Sequence, residues 1–287
     1  MNILICGATG FVGRHLTQTL RGAGHTVIRA VRSPREPDDI ATDFRNDTDK
    51  DTWLPRLRGI DVVVNAVGVL RDSKQNPMQK LLAETPAALF AACAEAGVKR
   101  IVHISALGIE SGVAVPYFTT RIVAERALRA LPPEVRWLCL RPSVIYGEDG
   151  ASAAMFRKLA RLPLHVLPLG GVQTMQPVHI DDICAAVTRW LADENASSQT
   201  VEAVGAEPAT MREMLDSYRN QMGHGAAVHF AMPRFMVRVA ARAGDCVPSS
   251  PLCSDTYAMM AAGNTASPAG FAQLLGRSPR SYREFIS

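Results

Sequence analysis

Short apolar runs alternate with longer segments of helical periodicity as far as residue 204. Asn2-Ile3-Leu4-Ile5-Cys6 is an apolar run of strand length. After it Val12, Leu16, Leu20 and Ala23 recur at helical spacing, and Gly24 stands where a helix would end. The alternation continues with a strand over 26–31 and a short strand ending near Asp43 and Phe44. The polar stretch 45–52 reads as a loop, leading to a short helix near Trp53. Strands are then predicted at 61–65, 100–105 and 135–140, with helices over 78–96, interrupted at Pro86, and 119–131. Past Gly147 the regularity loosens. A helix over 152–162, an extended segment at 176–180, a helix with Ile183, Val187, Trp190 and Leu191 inward, and a last strand at 200–204 are expected. Thr210 and Glu213 form a capping box opening a helix to Met222. Strand alternating with helix predicts an α/β fold, a doubly wound parallel sheet, with a small mostly helical C-terminal lobe.

The first turn carries the chemistry. Glycines fall at 7, 10 and 13 in Gly7-Ala8-Thr9-Gly10-Phe11-Val12-Gly13, between a strand and a helix. In that context they point to a dinucleotide site in a Rossmann fold: one permits the tight turn, one admits a pyrophosphate, one lets helix pack on strand. The helix N-terminus offers unpaired N–H groups to an anion. Ligands in such sheets bind beyond the strand carboxyl ends. Gly7, Thr9, Gly10, Phe11, Val12, Gly13, Arg32, Ser33, Asp43, Phe44, Ala66, Val67, Gly68, Ser105, Pro142 and Val144 all fall at or near such ends. The strand ending at Val31 should face the adenosine ribose, where an acid would select NAD. Arg32 and Ser33 stand there instead and suit a 2′-phosphate, so NADP is expected in preference to NAD. A solvated arginine is the plainer reading of Arg32.

Composition narrows the classes. The 287 residues are 47% hydrophobic and 20% charged, enough for a large core. A net charge of +4 without a basic run argues against nucleic-acid binding. Six cysteines show no C-x-x-C and no zinc spacing, so no metal site is expected, and a reduced cytoplasmic protein is. The strand starting at Asn2 leaves no room for a secretory leader, and no apolar run is long enough for a membrane span.

Tyr117 and Arg121 are four apart at the start of the helix after Ser105, hence on one face. A cation beside a phenol favours the phenolate, which suits proton transfer next to a hydride carrier. Spacing alone favours a plainer reading, with Tyr117 packed and Arg121 solvated. Gly7–Gly13, the turn at 65–68, Ile104-Ser-Ala-Leu-Gly108, Leu140-Arg-Pro-Ser-Val-Ile-Tyr-Gly147 and Gln176-Pro-Val-His-Ile-Asp-Asp182 resemble the extended and atypical short-chain dehydrogenase/reductases, the nucleoside-diphosphate-sugar epimerase-like proteins. The group most resembled is that of the nucleotide-binding accessory subunit of respiratory complex I. The resemblance covers about residues 1–205. It implies NAD(P) binding over 1–205, with 148–175 contributing to the substrate side, and a substrate lobe over 206–287. It also implies a Ser/Tyr/Lys catalytic group, here Ser105, Tyr117 and, in place of the lysine, Arg121. Arginine keeps the charge but cannot give up its proton.

The resemblance implies an NADP-dependent oxidoreductase or epimerase-like enzyme acting on a small carbonyl or hydroxyl compound. The alternative is a non-catalytic dinucleotide-binding protein used in assembly or redox sensing. His179 is read as a wall residue and Asp181 as a helix cap rather than as metal ligands. A helix over 233–244 carries Arg234, Arg238 and Arg242 on one face with Phe235, Met236, Val239 and Ala243 largely opposite. It reads as a lobe helix with a solvated basic face; binding to a membrane surface is the rival reading.

Overall fold

The computed structural model describes residues 1–247, 250 and 252–286. The chain opens with β1 (Asn2–Cys6), α1 (Phe11–Gly22), β2 (Thr26–Val31) and β3 (Ile40–Ala41). It continues through α2 (Lys50–Trp53), β4 (Val62–Asn65), α3 (Thr85–Ala96), β5 (Arg100–Ile104), α4 (Pro116–Arg129) and β6 (Arg136–Pro142). Next come β7 (Ile145–Tyr146), α5 (Ala151–Arg161), β8 (Leu164–Pro168), β9 (Thr174–Met175) and β10 (Val178–His179). Then follow α6 (Ile180–Ala192), β11 (Gln199–Ala203), β12 (Ala209–Thr210) and α7 (Met211–Gln221). The last elements are β13 (Val228–Met232), α8 (Arg234–Asp245), α9 (Ser254–Ala261) and α10 (Ala269–Leu275).

Two compact units form. The first comprises 1–109, 116–141 and 184–201; the second comprises 110–115, 142–183 and 202–286 of the described chain. The units do not follow the expected division at residue 205. Residues 142–183 pack with the tail because α5 and α7 share a core that includes Phe156, Met214, Leu215 and Tyr218.

The first unit carries a seven-stranded sheet in the order β11-β6-β5-β4-β1-β2-β3. Adjacent strands from β3 to β6 pair in parallel. The doubly wound Rossmann architecture expected from the alternation is therefore present. Strand order reverses between β1 and β4, the point where such sheets open a crevice at their carboxyl ends. β1 and β4 are buried along Ile3–Cys6 and Val62–Asn65, which is why they read as continuous apolar runs.

Local differences have local causes. β3 ends at Ala41 because the Asp43 carboxylate accepts from the Arg45 N–H at 3.1 Å and turns the chain. Before Pro86 the helix widens into a π turn at Lys80–Glu84, which accommodates a residue with no N–H to donate. α4 begins at Pro116, a favoured first helical position, so Tyr117 lies inside its first turn.

Among the described residues of the second unit β7 pairs with β10, β9 with β12 and β8 with β13. The Thr210–Glu213 capping box opens α7 as expected. β13 in the tail escaped the periodicity because its apolar residues Val228 and Phe230 point outward and are exposed. α8 corrects the expected facing: it buries Val237, Ala241 and Gly244, while Phe235, Met236 and Val239 are exposed. Gly244 is admitted because an added Cβ would lie 1.8 Å from the Leu252 carbonyl oxygen, so the chain crosses directly over it. Among the described residues no helix is long and apolar enough to cross a membrane.

α1 leans on β1 through bare backbone: a Cβ on Gly13 would lie 2.1 Å from the Gly7 carbonyl oxygen. Gly13→Ala should therefore cost about 1–3 kcal/mol of stability in urea denaturation, as overpacking does. Gly22→Ala, in the same helix where a Cβ meets nothing within 4 Å, should instead raise stability by about 0.4–1 kcal/mol.

Candidate functional site

The carboxyl ends of β1, β2 and β4 enclose a cavity of about 340 Å³ within the first unit. Gly7, Thr9, Gly10, Phe11 and Val12 form one wall. Arg32, Asp43, Phe44 and Arg45 form a second, and Ala66, Val67 and Gly68 a third. Gly7 adopts φ +78°, and an added Cβ would lie 2.9 Å from the Ala66 carbonyl carbon. The turn thus has to be glycine on two counts, conformation and contact. The Gly10 N–H donates to the Gly7 oxygen at 2.9 Å, and α1 then starts with no side-chain cap and no acidic residue in its first turn. That end is open to an anion. Gly13 lies under the turn rather than on the cavity wall.

The loop after β2 is held by ions. Arg29 pairs with Glu36 and Asp39 at 2.7 Å each, and the Asp39 carboxylate also accepts from the Arg35 and Glu36 N–H groups. Those bonds, the Arg29 guanidinium first, hold the Asp39 carboxyl well below the usual range. Arg32 on that loop is exposed at the cavity edge; Ser33, also exposed, is not among the lining residues. Asp43 is clamped by Arg45 at 2.7 Å, which holds its carboxyl below the usual range. Two cations and one carboxylate therefore border this end of the cavity. Arg45 was missed in the sequence because it stands first in a polar stretch that reads as loop.

The residues proposed for proton transfer all lie in the first unit. Tyr117 is half-buried, and the Arg121 guanidinium carbon sits 4.6 Å from its ring centroid, over the face of the ring. Arg121 is buried rather than solvated: its Nη1 donates to the Ile104 carbonyl at 2.8 Å. Its Nε has no hydrogen-bond partner among the described residues. A Cβ on Gly68 would lie 3.4 Å from its Nη2, so Arg121 reaches the turn after β4.

Ser105 is turned inward, its hydroxyl donating to Glu125 Oε1 at 2.6 Å. Glu125 also accepts from Arg141 Nη2 at 2.7 Å and Arg129 Nη2 at 2.9 Å. Burial pushes the Glu125 carboxyl up, but the bonds from Arg141 and Ser105 outweigh it and hold it below the usual range. The signal for Glu125 was present in the sequence: an arginine at a strand end, Arg141, buried behind apolar residues needs a carboxylate.

Asn65 ties the turn to the core. Its Oδ1 accepts from the Val67 N–H at 3.2 Å, leaving its amide nitrogen 3.3 Å from His103 Nδ1. That makes Nδ1 the acceptor and places the imidazole proton on Nε2. Burial, with Arg121 nearby, pushes His103 down to about 3.

Pro142 and Val144 belong to the second unit, where the Val144 carbonyl accepts from the Val178 N–H at 3.0 Å. At the start of α6 the expected roles are rearranged: the His179 ring nitrogen accepts from the Asp181 N–H at 3.2 Å, so the histidine serves as cap. Asp181 pairs with Arg280 at 3.1 Å, and buried Asp182 pairs with Arg277 at 2.5 Å. A second cavity, of about 760 Å³, lies within the second unit and is bordered by Gln173, Arg234, Arg238 and Tyr257.

The NAD dependent epimerase/dehydratase family matches residues 3–205. The chain belongs to this family. The mouse (Mus musculus) protein named NADH dehydrogenase [ubiquinone] 1 alpha subcomplex subunit 9, mitochondrial, is 26% identical over 81% of this chain. The chain spans 64% of that relative's length. A 3-diazoavenalumate denitrifying reductase of a Streptomyces species is 28% identical, over 78% of this chain and 82% of its own. Among solved structures, human epimerase family protein SDR39U1 (isoform 2) with NADPH superposes with a TM-score of 0.77 at 20% identity. It covers 100% of this chain and 98% of its own.

His103 generates a pH prediction. Its folded value lies below the unfolded 6.5, so the unfolded chain binds more protons between those values. The stability it contributes is present above about pH 6.5 and lost as pH falls toward 3. Urea titrations over that range should show wild type losing stability more steeply than His103→Gln.

Proposed function

We propose that the chain binds NADP in preference to NAD and moves a hydride between it and a small carbonyl or hydroxyl compound. The observation that carries the cofactor reading is the cavity itself. Its wall has no room for a Cβ at Gly7, an uncapped helix N-terminus borders it, and Arg32 and Arg45 stand at one end. Those features fit a nicotinamide dinucleotide. The start of α1 would take the pyrophosphate, and the two arginines a 2′-phosphate. When bound, the cofactor supplies or accepts the hydride. Tyr117 would give or take the proton on the substrate oxygen. Arg121, over its ring, would steady the developing charge on Tyr117 and hold the nicotinamide ribose. Ser105 joins them only by turning its hydroxyl away from Glu125. We place the substrate pocket in the C-terminal lobe, as the family resemblance implies. A cytoplasmic location is kept as part of this reading; among the described residues no cysteine is in a disulfide, which is in keeping with a reducing compartment.

A second reading has one specific observation behind it. Arg121 stands where the family resemblance places a lysine, and it is committed to the Ile104 carbonyl. A protein that binds the dinucleotide without turnover, in an assembly role, would need no more. The mouse relative's name, that of a complex I subunit, is in keeping with this.

Titration of both cofactors separates NADP from NAD. Wild type should favour NADP, and Arg32→Ala should weaken NADP about tenfold to a hundredfold with little change for NAD, the worth of a charge-assisted hydrogen bond. Equal affinity of the wild type for both sinks the NADP preference. Turnover is tested with labelled cofactor against a carbonyl panel. Tyr117→Phe should abolish exchange while leaving NADP affinity intact, and Arg121→Lys should keep or raise it. No exchange by either wild type or Arg121→Lys selects the non-catalytic reading.

A further inference from the structure

β8 and β13 form a parallel ribbon in the second unit in which His165 stands opposite His229. The ribbon is inverted relative to ordinary practice. Leu164, Val166, Val228 and Phe230 are exposed, while His165 is only 3% exposed. Burying an imidazole where a leucine would serve is costly unless its nitrogens are used. Yet the two ring nitrogens of His165 have at most one acceptor, the Ala160 carbonyl, so at least one buried nitrogen is left without a hydrogen-bond partner among the described residues.

What lies beside it is two further ligand-type groups. Asp216, from α7, brings Oδ1 to 2.9 Å from His229 Nε2 and 3.9 Å from His165 Nδ1. The two imidazole rings meet edge to face at 5.1 Å. One ligand atom from each of His165, Asp216 and His229 lies within 4.8 Å of the other two. Ligands about 2.0–2.1 Å from a tetrahedral zinc stand roughly 3.3 Å from one another, so a small rotation of these side chains suffices. Arg219, the neighbouring cation, is engaged by the Ala160, Arg161 and Leu162 carbonyls at 3.0, 2.9 and 3.0 Å. A plain hydrogen bond from His229 to Asp216 explains two of the three residues and leaves a buried ring nitrogen of His165 unused.

We propose that His165, Asp216 and His229 bind one divalent transition-metal cation of the zinc type. Two imidazoles and a carboxylate are the donor set of a borderline cation rather than of calcium or magnesium. Asp216 is partly open, its side chain 37% exposed, which leaves a path for entry and a position for water. The ligands come from two strands and a helix, so no local spacing in the sequence announces them, and the expectation of no metal site rested on such spacing. Bound there, the cation joins α7 to the ribbon and links metal affinity to stability. The site lies within the second unit and stands or falls independently of the nucleotide reading.

The test uses untagged full-length protein stripped with chelator, since a histidine tag would bind the same cations. Zinc chloride is titrated by calorimetry, and cobalt(II) by visible absorption. One equivalent of zinc should bind, the melting temperature should rise and fall back with EDTA, and cobalt should give the intense d–d bands of low coordination. Asp216→Asn, nearly isosteric, and His229→Gln should each lower zinc affinity by about tenfold or more, given that loss of even a supporting partner costs 10–100-fold. Circular dichroism of both variants should match wild type. No saturable zinc binding by wild type overturns the proposal. So does wild-type affinity and stoichiometry in both folded variants, because zinc would then sit on other residues.

Discussion

Close approach of bare backbone at the first turn is the constraint on which the nucleotide-binding unit depends. Gly13 passes so near the Gly7 carbonyl, and Gly7 so near Ala66, that any side chain at either place forces strand, helix and neighbouring turn apart. This fixes α1 against β1 and sets the β1 turn on the β4 turn at the point where strand order reverses. The cavity exists because three strand ends are drawn together there while the polar groups of the turn stay free of side-chain caps. Anion affinity at that place is a consequence of packing as much as of charge.

Behind the turn, the carboxyl ends of β5 and β6 are tied to α4 by buried charge. Glu125, 3% exposed, gathers Ser105, Arg129 and Arg141, while Arg121 grips the end of β5. Removing one partner from such a buried pair typically costs about 3–5 kcal/mol, because the other is left charged and unsolvated. The arrangement holds Tyr117 and Arg121 on one rigid helix. It also commits Ser105 inward, which separates the three residues that sequence spacing and resemblance had grouped. His103 and Asn65 extend the same logic to the β4 turn, with a neutral imidazole accepting from an amide whose oxygen supports Val67.

The parallel sheet and most of the cavity wall were legible in the sequence. Apolar runs of strand length, helical spacing between them and glycines at a strand–helix junction are local signals, and each is caused by chemistry within a few residues. Gly7, Gly10, Arg32, Asp43 and Ala66 to Gly68 line the cavity for that reason. What tertiary structure alone decided has a common physical cause: partners distant in sequence. Glu125 acquires its role by gathering Ser105 and Arg141 from the ends of two different strands. The division of the chain into units follows a core shared by α5 and α7. The facing of α8 was misread because periodicity reports that one side is apolar, whereas which side is buried depends on what packs against it.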